Sequence, residues 1–317
     1  MLNNLPSSRF TDQLRTLVRR RPPSEKLTIA ILDGTVDLDA GHLIGARLAR
    51  VARAHHRRLV GGLRATHGDV IASMLFAQPG SRITGLTHRS RGLIAPIFID
   101  GVLPTHEPPR TSQEQLAGAI VAAVHAGSHI LNISAGELSD LGQPRPALSA
   151  ALQLCQARDV LVIAAAGNDG CECLHVPAAS ASCIAVGASS AAEVPRESSN
   201  WGTAYAVNGV LALGEQIPGL TRDNVLGRFS GSSFATVLIT AAAASLMSHS
   251  ERLLGAATVR DALLSTAVKD EACVSPSSVA CRRQLRGRLD LLRALQTLQL
   301  SVKDTPNGPH HRHRQER

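Results

Sequence analysis

The apolar run Leu27–Leu32 stops at Asp33-Gly34, and five similar runs follow at Gly92–Ile99, His129–Ser134, Val160–Ala166, Cys183–Ala188 and Gly209–Leu213. Short runs without polar alternation fit strands buried on both faces, as in a parallel sheet. Stretches of helical pattern lie between and after them. His42–Arg58 carries Leu43, Ala46, Val51 and Ala54 on one side, and Gly68–Phe76 reads as a buried helix beginning at His67. Ser112 caps a helix to His125 that Gly127 stops, and Pro146–Ala157 is another. Ser233 opens a long Ala- and Leu-rich helix, followed by Thr258–Val268 and Leu289–Leu298. Strands alternating with helices imply right-handed crossovers, hence a doubly wound, mostly parallel α/β sheet with helices on both faces of a single domain. Aromatic residues are only 2% of the chain, so Ala, Val, Leu and Ile must build its core.

The expected boundaries are a polar, basic lead-in over 1–25, the globular domain over 26–300, and a disordered His/Arg tail over 301–317. Basic residues number 33 against 25 acidic, a net charge of +8. That excess suits a solvated Arg-rich surface or an acidic partner, whereas the shortage of stacking aromatics argues against nucleic acid. No apolar run is long enough to span a membrane; Phe234–Met247 reads as a buried helix. Met1-Leu2-Asn3-Asn4-Leu5-Pro6 lacks the apolar core of a signal peptide, so a cytoplasmic location is expected. Cys171-Glu172-Cys173 near His175 lacks usual zinc spacing, and neither metal nor cofactor is expected. A disulfide within Cys155, Cys171, Cys173 and Cys183, one closing Cys273–Cys281, and plain buried thiols all remain open.

Four residues stand where strands end or helices begin: Asp33, His67, Asn168 and Ser233. Taken singly, each has an ordinary use. Ser232 or Ser233 suits a helix N-cap, Asn168 suits the turn Gly167-Asn168-Asp169-Gly170, and twelve other histidines compete with His67. Together they supply a carboxylate, a base, an amide donor and a hydroxyl nucleophile, the set that acyl transfer needs. Asp33 carries most weight, because open parallel sheets place their sites at the carboxyl edge of the strands. Asp37 and Asp39, just downstream, are expected to serve the turn or face solvent.

In order and local context, Ile31-Leu32-Asp33-Gly34, Thr66-His67-Gly68, Ala165-Ala166-Gly167-Asn168 and Gly231-Ser232-Ser233-Phe234-Ala235 resemble the subtilisin-like serine proteases. The resemblance covers about Lys26 to Leu300 and includes Leu131-Asn132-Ile133-Ser134-Ala135-Gly136 and Gly287-Arg288-Leu289-Asp290. It implies a catalytic triad of Asp33, His67 and Ser233, with Asn168 in the oxyanion hole. It also implies an open S1 pocket walled by Ser134, Ala135 and Gly136 and by Ala165, Ala166 and Gly167. A narrower resemblance, to cyanobactin-type maturation proteases, rests on Gly80-Ser81, Arg91–Phe98, Gly167–Ala178 and Asn200-Trp201-Gly202. It implies a precursor peptide as substrate and leader removal as the reaction.

Two positions depart from the common pattern. Asp69 replaces the usual residue after His67-Gly68, where it either acts on His67 or caps the helix, and Val237 stands where a proline is usual. Asp33 comes early, so a preceding prodomain of secreted-subtilisin size is not expected. Only 34 positions separate Asp33 from His67, too few for the cleft-capping insertion of the related macrocyclases, so hydrolysis is expected over cyclisation. A silent peptide-binding subunit and a macrocyclase or transpeptidase are the alternatives. The oligomeric state is not legible.

Overall fold

The computed structural model describes residues 1–51, 67–97, 111–250, 252–270, 273, 275 and 277–303. Helix α1 (Arg9–Arg20) precedes strand β1 (Thr28–Asp33), β2 (Leu48–Arg50), α2 (His67–Phe76), β3 (Arg91–Pro96), α3 (Gln113–His125), β4 (Ile130–Ile133) and β5 (Glu137–Leu138). Then come α4 (Pro146–Ala157), β6 (Leu161–Ala165), β7 (His175–Val176), β8 (Ile184–Ser189), α5 (Tyr205–Asn208), β9 (Gly209–Leu213), β10 (Ile217–Leu220) and β11 (Leu226–Phe229). Helices α6 (Ser232–Met247), α7 (Ala256–Ser265), α8 (Val279–Arg282) and α9 (Leu291–Lys303) follow.

Seven strands form one sheet in the order β2-β3-β1-β4-β6-β8-β9, and every pairing in it is parallel. Alternate residues of β1 serve opposite faces. Ile29 and Ile31 join the core under α1, α2, α6, α7 and α9, while Ala30 and Leu32 join the core under α3 and α4. Strand order reverses about β1, with β3 on one side and β4 on the other, which opens a crevice at the carboxyl edge. Asp33, Ser134 and Ala165 all lie at that edge. Among the described residues, no helix is long and apolar enough to cross a membrane.

Two stretches differ from the sequence expectation. Leu48–Arg50, expected within a helix, instead pairs in register with Gly92–Ile94 and forms the sheet margin; residues 52–66 lie outside the described ones. Strand pairing here overrides a helical apolar spacing. The polar lead-in contains α1, with a capping box between Ser8 and Thr11, and its Leu14 and Leu17 are fully buried near α6 and α9. Its abundant arginines hide an apolar stripe at Phe10, Leu14, Leu17 and Val18. The expected disordered tail falls, beyond Lys303, outside the described residues.

Candidate active site

Asp33 ends β1 and is fully buried. Its Oδ1 accepts the Gly34 N–H at 2.6 Å. A buried carboxylate needs further partners, and the His67 ring provides one: Nδ1 lies 2.8 Å from Oδ1 and 3.0 Å from Oδ2. Close packing of α2 on the segment after β1 allows this approach. A methyl added at Gly68 would come within 2.6 Å of the Gly34 carbonyl oxygen, so the helix start needs glycine. With a proton on Nδ1 donated to Asp33, the neutral ring leaves Nε2 as an acceptor. The imidazole also leans on Phe234, centroids 5.2 Å apart, and its side chain is 32% exposed, so one edge is open.

Ser233 lies in the first turn of α6, beside that contact. The chain enters the helix through Gly231, whose φ of +142° is disfavoured for other residues. Gly231, which has no side chain, is itself the N-cap, so neither serine has the N-cap role that either would suit. Ser232 is fully buried, its Oγ lacking a hydrogen-bond partner among the described residues, whereas Ser233 keeps 8% exposure. The Ser233 N–H, in the first turn, has no intrahelical acceptor. Asn168 is exposed just after β6, and its Oδ1 accepts the Ser232 N–H at 2.9 Å. That bond orients the amide, leaving its NH2 as the donor end.

The two expected wall segments also lie at this edge. Ser134, Ala135 and Gly136 follow β4 and are half-buried, while Ala165 and Ala166 are buried beside half-buried Gly167. Sequence reasoning missed His175, which the structure sets against both segments. A methyl at Gly136 would lie 3.1 Å from His175 Cβ and 3.4 Å from Nδ1, and one at Gly167 would lie 3.2 Å from Cε1. Both segments carry small side chains, and the His175 imidazole stands against both. The sequence signal was the stretch Cys171-Glu172-Cys173-Leu174-His175, which is part of the narrower resemblance and places a histidine beside two cysteines.

Cys171 and Cys173 are joined by a disulfide, as are Cys273 and Cys281, while Cys155 and Cys183 are buried thiols, pushed up to about 12 by burial. Asp69, one turn into α2, is fully buried and links the segments around the site. Its Oδ1 accepts the Asp37 N–H at 2.7 Å, and its Oδ2 lies 3.3 Å from Nη2 of Arg222, in the β10–β11 turn. Arg222 Nε lies 3.6 Å from Asp37, whose carboxylate also accepts the Asp39 N–H at 3.1 Å, the turn role expected there. Asp69 thus ties the loop after Asp33 to the hairpin before Ser233.

Residues 61–303, which include His67, Asn168 and Ser233, match the subtilase family. A cell wall-associated protease of Bacillus subtilis (strain 168) is 31% identical over 228 residues, 71% of this chain and 23% of that protein, so the chain spans about a quarter of that relative's length. Among solved structures, the prenylagaramide maturation protease PagA is 39% identical with a TM-score of 0.79, covering 90% of this chain and 98% of its own. The patellamide maturation protease PatA is 38% identical with a TM-score of 0.75, covering 87% and 98%. The PatG macrocyclase in complex with peptide has a TM-score of 0.78 at 24% identity, covering 93% and 98%, a likeness of fold alone. The chain belongs to the subtilase family of serine proteases.

Proposed function

We propose that this chain hydrolyses a peptide bond through an acyl-enzyme formed on Ser233. The supporting observation is the hydrogen bond from His67 Nδ1 to buried Asp33, with the His67 ring packed on the residue after Ser233. Asp33 fixes the tautomer, so Nε2 takes the Ser233 proton as Oγ attacks the carbonyl carbon. The resulting imidazolium is stabilised by the buried carboxylate and returns the proton to the leaving amine. The Asn168 NH2 and the Ser233 N–H hold the oxyanion, helped by the positive end of α6. Water, activated by His67, then releases the acyl group.

The substrate we infer is a ribosomally made, modified precursor peptide, from which the enzyme removes the leader. Similarity to PagA and PatA, both maturation proteases, supports this reading. Such a substrate is met in the cytoplasm, where we place the activity. Mass spectrometry of a precursor peptide incubated with the enzyme tests both parts. A linear leader acid plus a free core amine is expected; a product lacking the elements of water would mean cyclisation, and no cleavage would mean a binding subunit. Ser233→Ala should abolish cleavage.

A further inference from the structure

We infer that His175 sets the P1 preference, acting as a stopper that restricts the S1 pocket to small side chains. This inference rests on the proposed peptidase reading, because it takes Ser134–Gly136 and Ala165–Gly167 as the pocket walls. Glycine at positions 136 and 167 lets His175 stand between the walls: a Cβ on Gly136 would lie 3.1 Å from His175 Cβ and 3.4 Å from Nδ1, and one on Gly167 would collide with Asn200 Nδ2 and lie 3.2 Å from His175 Cε1. Ala, Ser and Gly at P1 fit in what remains; a phenyl ring does not.

The imidazole is anchored rather than free to swing aside. Its Nε2 lies 2.8 Å from Asp169 Oδ2. Asp169 is itself gripped by Asn200, whose Nδ2 donates to Oδ2 at 2.8 Å and whose Oδ1 accepts the Asp169 N–H at 2.8 Å. The His175 N–H donates to the Tyr205 hydroxyl at 2.8 Å, and that hydroxyl donates to the wall carbonyl of Ala166 at 3.1 Å. On the other side, β7 pairs antiparallel with β5, which continues directly from Gly136. Stopper and both walls therefore form one hydrogen-bonded unit, and a large P1 group cannot enter by moving a single rotamer. A pocket with a fixed floor discriminates by steric exclusion, typically about 10- to 100-fold for a few carbons.

The test compares the tetrapeptide p-nitroanilides Ala-Ala-Pro-Ala and Ala-Ala-Pro-Phe in cleavage. It also compares the free tetrapeptide acids in binding to the Ser233→Ala protein by NMR titration. The P1 Ala peptide should be favoured at least about tenfold in both assays. His175→Gly should reverse the preference, and His175→Gln, which keeps the bulk, should preserve it, with thermal melts verifying that each variant is folded. The parent protein decides by itself if His175→Gly does not fold: equal or better use of P1 Phe overturns the inference. A His175→Gly ratio within about twofold of the parent also overturns it. If neither anilide is cleaved while the Ser233→Ala protein still selects P1 Ala, the pocket inference stands and the hydrolase reading fails.

Discussion

Two histidine–aspartate pairs flank the cleft, each at 2.8 Å, and they are built in opposite ways. In the pair at β1 and α2, Asp33 has no exposure and bonds Nδ1, which leaves Nε2 as the acceptor on a partly open ring. In the pair beside the proposed S1 walls, Asp169 is 53% exposed and bonds Nε2, while the ring is 18% exposed with Nδ1 against glycine. A buried carboxylate is desolvated and interacts strongly with an imidazolium, whereas an exposed one is screened. Distance alone makes the pairs look equivalent. The nitrogen used and the burial of the acid make the first suited to moving a proton and the second to holding a ring in place.

The sharpest way to break this contrast is to neutralise each acid in turn. Asp33→Asn should lower kcat about 10⁴-fold, since the wrong His67 tautomer then becomes favoured. Asn168→Ala should cost about 10²- to 10³-fold in kcat with little change in KM, because the lost donor acts on the oxyanion. Arg222→Ala tests what supports the first pair. It leaves the fully buried Asp69 without its guanidinium, and a loss of about 3 kcal/mol in urea-induced unfolding is expected. Asp169→Asn should leave kcat for a P1 Ala peptide within a few-fold and cost under about 1 kcal/mol of stability, with relaxed P1 selectivity as its main effect.

The smallest effect concerns pH. His42 is buried, and desolvation lowers its pKa below the ordinary value of 6.5, offset in part by Asp69 and Asp37. The unfolded chain then takes up this proton at higher pH than the folded one does. Stability is therefore fully present above pH 6.5 and declines as pH falls through the folded pKa. Denaturation midpoints measured across that range should slope downward with acid, and His42→Leu should flatten the slope.

The proposed reacting groups were legible in the sequence because each lies at the end of a strongly patterned element. β1 delivers Asp33, α2 begins at His67, β6 leads to Asn168 and α6 begins at the serines, so periodicity alone placed them at edges. Their convergence was not legible from pattern and came from the resemblance. His175 escaped because its partners are scattered: Asp169 in a turn, Asn200 in a loop and Tyr205 on a four-residue helix, joined only by the fold. Asp69 escaped for a similar reason. The sequence showed an acid beside the base but not Arg222, more than 150 positions away, which claims its carboxylate. Strand β2 was misread because three residues paired at a sheet margin carry no periodicity that outweighs a helical spacing nearby.

The central claim is that Ser233 is an activated nucleophile. Labelling the folded protein with a fluorophosphonate, followed by peptide mapping, measures this directly. A single adduct on Ser233 is expected, absent after denaturation and strongly reduced in Asp33→Asn. No adduct on the folded protein, or an adduct on a different residue, would contradict the account.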